Sequence, residues 1–161
     1  MIDKNQLVKY IIQPSLKEIG MYSKSAEMLL LYTAATESLL GKYLKQIGGG
    51  PALGLYEMEI ATYYCNWENN LRHRRALRKK LLSATGYGAP PSASHLIWDM
   101  KLSTLMARVH YARFDEALPD YNDYNGLVAY YYKYWRPNRE KTSLSEAKQR
   151  IEKVLYVGNH V

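Results

Sequence analysis

Leu7, Val8, Ile11, Ile12, Leu16 and Ile19 recur at helical spacing, with Asp3 placed to cap the first turn. Pro14 predicts a kink or a division of that helix, and Gly20 its end. A second helix is predicted over 23–40, stopping at Gly41. Residues 42–55 contain Gly48-Gly49-Gly50-Pro51 and read as a loop. Helical pattern returns over 59–67 and continues through a basic run to Leu82; 83–94, with Pro90-Pro91, is a connection. The longest apolar-rich helix candidate is 94–114. Segments 122–135 and 143–155 complete the series, the last opening on the capping-box pair Ser143 and Glu146. Hairpin signals are few. The pattern predicts a mainly α fold in one domain over residues 1–161, with room for a small β-element in the 42–58 loop.

Composition narrows the picture. At 161 residues the chain has the size of one domain, and 47% apolar against 23% charged residues excludes wholesale disorder. No apolar stretch approaches the eighteen or more residues that span a bilayer. The single cysteine, Cys65, excludes an internal disulfide and reads as a small buried residue; His73, His95 and His110 are scattered, so neither a metal nor a cofactor is expected. Two features are unusual: a net charge of +7, and sixteen tyrosines beside one phenylalanine. A positive balance favours anionic partners, and tyrosine suits half-wet surfaces such as sugar sites and interfaces.

Glu37 is the residue that carries candidate chemistry. On a helix it shares a face with Leu30, Thr33 and Ala34, which are apolar or small. A carboxyl placed there loses water, which favours its protonated form, the form a general acid needs. The alternative is a surface glutamate at a fraying helix end.

The segment downstream brings a resemblance. Glu37-Ser38, then Gly54-Leu55-Tyr56-Glu57-Met58 and Ala61-Thr62, resembles the soluble lytic transglycosylase and goose-type lysozyme superfamily, in particular its small phage-encoded members. That family carries a helix-end Glu-Ser, a Gly-Leu-Met-Gln-apolar run and a Pro-Ala-Thr. Two later segments follow in the same order: 106–111 resembles the family's central core helix, and Gly126-Leu127-Val128-Ala129-Tyr130 resembles the stretch before its Ala-Tyr-Asn-Ala-Gly motif. The resemblance covers about 23–135, leaving 136–161 as a C-terminal helical extension. There are departures: Glu57 stands at the family's glutamine, Tyr56 at its methionine, Ile60 at its proline, and Tyr131-Tyr132 at Asn-Ala.

The resemblance implies a lysozyme-like fold and cleavage of the β-1,4 bond between N-acetylmuramic acid and N-acetylglucosamine in peptidoglycan, without a cofactor. Glu37 would be the catalytic acid, and Ser38, Gly54, Leu55, Tyr56, Glu57 and Tyr130 would bind substrate. Glu57, as a second acid, would position a water in a hydrolase; its alternative is a surface acid paired with Arg72 or a neighbouring lysine. The start of the chain has no secretory signal pattern. The resemblance therefore points to a phage virion protein that acts in the host cell envelope. The rival expectation is a structural virion protein on the same scaffold with little or no activity.

Two signals lie outside that site. Six of the nine residues 72–80 are Lys or Arg, and Leu71, Leu77, Leu81 and Leu82 interrupt the charges. They read either as a solvated helix face or as a nonspecific contact for DNA or another anionic polymer. The run Tyr130-Tyr131-Tyr132-Lys133-Tyr134-Trp135 cannot turn every ring to one core, which predicts a surface for partners such as other virion proteins.

Overall fold

The computed structural model describes residues 1–135 and 142–157. It is mainly helical, with one two-stranded antiparallel sheet. Helix α1 (Lys4–Leu7), a π-helical stretch (Val8–Ile12) and α2 (Gln13–Glu18) follow one another directly. Asp3 accepts from the backbone N–H groups of Asn5 and Gln6 and so caps the start. An element boundary falls beside Pro14, where the π stretch gives way to α2. Pro14 sits in the first turn of α2, just past the wider π turn, where its missing N–H is accommodated. Gly20, at φ +69°, ends the run.

Helix α3 (Lys24–Ser38) is the centre of the molecule. Ser23 caps it through the Ala26 N–H, and every residue from Leu29 to Ser38 is buried. Apolar and small side chains all round a helix demand cover on all sides. Here α6 (Met100–Tyr111), α7 (Tyr124–Trp135), α8 (Leu144–Glu152) and the π stretch near the N-terminus supply it. Leu30, Ala34, Leu55, Tyr111, Leu127, Val128 and Ile151 belong to this core.

A second core lies on the other face of α6. There Leu102, Leu105, Met106 and Val109 meet Tyr63, Trp67, Leu71, Leu81 and Leu96. It is built by α4 (Ile60–Cys65), a π turn (Asn66–Asn70), a 3-10 turn (Leu71–His73), α5 (Arg75–Thr85) and a 3-10 segment (Ala93–Ile97). Two expectations are corrected here. The helix of the basic run breaks at Arg74 instead of running on to Leu82, and α6 begins only at Met100, where Asp99 caps the Leu102 N–H.

The β-element falls where the loop left room for it. β1 (Ala52–Leu53) pairs with β2 (Met58–Glu59), Leu53 opposite Met58, and an isolated bridge joins Lys45 to Leu53. Helix α8 opens on the expected capping box of Ser143 and Glu146. It is part of the main core rather than an appendage, since Ala147 and Ile151 are fully buried and Arg150 donates to the Thr36 carbonyl at 3.1 Å. Among the described residues no helix is long and apolar enough to cross a membrane.

Candidate active site

Glu37 lies one residue before the C-terminal end of α3 and is 6% exposed. The Tyr131 hydroxyl, itself fully buried on α7, donates to its Oε1 at 2.5 Å. One turn back on the same face, Thr33 pairs through its hydroxyl with Tyr111 at 2.8 Å. Burial and the neighbouring Glu37 and Tyr131 push the Tyr111 hydroxyl well above the usual phenol range, so that ring is a fixed neutral wall.

Ser38 joins the helix end to the β-turn. Its hydroxyl donates to the Leu55 carbonyl at 2.5 Å and accepts the Gly41 N–H at 2.8 Å. With no exposure of its own, Ser38 fastens the residue after Glu37 to the turn that carries Glu57. After Ser38 the chain reverses abruptly: Leu39 and Leu40 both take left-handed conformations, and the Leu40 N–H returns to the Ala34 carbonyl. Glu57, 8% exposed, is left-handed as well, and its N–H closes the turn onto the Gly54 carbonyl at 3.0 Å. Each such position costs a side-chain-bearing residue about 1–2 kcal/mol. Among the described residues the non-glycine positive-φ positions are these three, and all flank the Glu37–Ser38 junction with the turn. Strain gathered in this way is characteristic of sites whose geometry matters more than their stability.

The remaining residues implied by the resemblance face inward. Gly54, at φ +83°, presses against the Leu96 backbone; a Cβ there would lie 2.2 Å from the Leu96 carbonyl oxygen. Its close approach in this structure is to the protein itself. Leu55 is core. Tyr56 is 1% exposed and bonds Thr104 at 3.0 Å, and burial holds its hydroxyl above the ordinary range. Tyr130 is turned away from the acid. Its hydroxyl donates to the Glu116 carbonyl at 3.0 Å, and its ring packs on Tyr111 at 5.9 Å. The tyrosine on Glu37 is the next one, Tyr131, which the motif comparison passes over.

Tyr134 and Lys133 both bond the Glu116 carboxylate, which pins the loop after α6 onto the outer face of α7. His110 is buried beneath, between Asn66 Nδ2 and the Tyr134 carbonyl, and burial lowers its ring from 6.5 to about 4. Among the described residues no cluster of His, Cys, Asp or Glu could hold a metal ion. What the arrangement offers chemically is one enclosed carboxyl, oriented by a phenol, beside a strained turn that carries a second carboxyl. No family model, curated protein or solved structure matches the chain.

Proposed function

We propose that the protein cleaves the β-1,4 bond between N-acetylmuramic acid and N-acetylglucosamine of peptidoglycan, as a lytic transglycosylase or muramidase, with Glu37 as the proton donor. The observation that carries this reading is the placement of Glu37. It is almost enclosed, held by the Tyr131 hydroxyl, and tied through Ser38 to the strained turn bearing Glu57. A general acid must hold a proton at the start of the reaction, and we assign that step to this enclosed, hydrogen-bonded carboxyl. Protonating the glycosidic oxygen releases the leaving sugar. Glu37 then returns to the acid form by taking a proton from the attacking hydroxyl: the muramic C6 hydroxyl in a transglycosylase, a water in a hydrolase. In the second route we assign the water-positioning role to Glu57, the acid of the turn that Ser38 fastens to the end of α3. Delivery within a phage virion to the host envelope belongs to the same proposal.

Wild type and Glu37→Gln are incubated with isolated peptidoglycan. Release of 1,6-anhydro muropeptides by wild type alone supports the transglycosylase, and new reducing ends support the hydrolase. Absence of either product from folded wild type overturns both.

A specific observation favours a second reading, a structural virion protein on this scaffold. Gly54, Tyr56 and Tyr130, three of the residues inferred to hold substrate, spend their contacts on Leu96, Thr104 and Glu116. The same experiment separates the two readings.

A further inference from the structure

The basic run gains a shape from the break at Arg74. A continuous helix would wind its charges around one axis. Instead the 3-10 turn at Leu71–His73 folds back, and α5 starts afresh at Arg75. Between the π turn and α5 this opens a groove of about 1320 Å³ whose walls carry Arg72, Arg75, Arg78 and Lys79. One acid, Glu68, lines it with them. None of the four cations has a salt-bridge partner among the described residues, whose ion pairs are Lys24–Glu27, Lys101–Glu18 and Lys133–Glu116.

Like charges three and four residues apart destabilise a helix, so this clustering works against folding rather than for it. Arg75 shares a face of α5 with Arg78 and Lys79, which follow it roughly 4.5 and 6 Å further along the axis. Guanidinium forks match phosphate oxygens two at a time. Aromatic rings complete the walls. Trp67 lies under the Arg78 guanidinium, 6.0 Å from ring centroid to charge, and Tyr64 is 39% exposed, its hydroxyl held by the Ala93 N–H at 3.2 Å. A recessed line of cations with a fixed, open ring is the combination that tracks a single-stranded backbone and stacks its bases.

We propose that this groove binds single-stranded nucleic acid, with Arg72, Arg75, Arg78 and Lys79 on the phosphates and Tyr64 against a base. The inference stands apart from the Glu37 reading and uses none of its residues.

The test is fluorescence anisotropy of a labelled oligothymidylate of about twenty nucleotides, titrated between 50 and 200 mM salt. Four phosphate contacts predict a slope of about −3 in log affinity against log salt. Arg75→Gln with Arg78→Gln should weaken binding and reduce the slope to about −1.4. Lys9→Gln with Lys17→Gln removes the same charge elsewhere and should leave both values unchanged. Tyr64→Ala should cost about tenfold in affinity at an unchanged slope. Far-UV circular dichroism checks that each variant is folded.

Three results overturn the proposal. One is no salt-dependent binding at 50 mM. Another is equal weakening by the Lys9 and Lys17 pair, which would mean general attraction to a +7 surface. The last is competition by a base-free glycerol-phosphate polymer as effective as the oligonucleotide, with Tyr64→Ala silent, which would assign the groove to a cell-wall polyanion.

Discussion

Two glutamates ten residues apart on α3 are both withdrawn from water, Glu27 at 1% exposure and Glu37 at 6%. The contacts described at each are of different chemistry. Glu27 receives Gln13 at 2.6 Å and Tyr22 at 3.0 Å on one oxygen, and the Lys24 ammonium on the other. Burial pushes its carboxyl up, but the bonds from Lys24, Gln13 and Tyr22 outweigh burial and hold it below the ordinary range. Glu27 is a charged fastener for the first turn of α3. At Glu37, Oε1 accepts from the Tyr131 hydroxyl, at the C-terminal end of the same helix. Burial alone therefore does not make a carboxyl reactive. A cation with two further donors holds Glu27 in its charged form as a structural tie, whereas the contact that α7 makes to Glu37 is a phenol hydroxyl.

The contrast can be broken at several points. Its largest expected effect is on turnover: Glu37→Gln should lower glycan cleavage about a thousandfold while moving the unfolding free energy by less than about 1 kcal/mol, because the amide still accepts from Tyr131. A large stability loss with activity kept would invert the comparison. Glu27→Ala should do the reverse, costing about 2–3 kcal/mol in urea unfolding with cleavage per folded molecule unchanged.

The acid limb comes next. Since the folded Glu27 value lies below its ordinary 4.5, its contribution is complete above that pH and is lost as pH falls through the folded value. His110, with a neutral buried ring, adds a separate limb at higher pH. Its contribution is complete above 6.5 and is lost as pH falls toward about 4. Unfolding measured from pH 7 to 3 should show both limbs in wild type and only the upper one in Glu27→Gln; an unchanged lower limb in that variant would refute the assignment. The smallest effect belongs to Tyr131→Phe, about 1 kcal/mol of stability and about a tenfold loss in turnover. Tyr130→Phe is the control and should leave turnover unchanged.

The helical segments and the enclosure of Glu37 were readable because both follow from spacing: a face of Leu30, Thr33 and Ala34 can only be covered. The π turn before Pro14 has no distinctive pattern of apolar residues, and the break at Arg74 was hidden inside a run that looks helical throughout. The partner of the acid was missed by one position. Tyr130, Tyr131 and Tyr132 have the same chemistry, and successive residues differ by about 100° around a helix. Only the packing of α7 against α3 selects which ring points at Glu37. Tyr56 and Gly54 carry a related ambiguity. Side-chain type says that a ring or a bare backbone is needed there, not whether a ligand or another part of the chain will meet it.

Arg150 on the Thr36 carbonyl joins residues 114 positions apart, and Tyr131 on Glu37 joins residues 94 apart. The central helix is therefore made well before the α7 and α8 residues that cover it. Until α8 has left the ribosome, α3 has an apolar flank facing water and its final carbonyls lack their cap. The nascent chain therefore holds Glu37 in an unfinished pocket until α8 has been made.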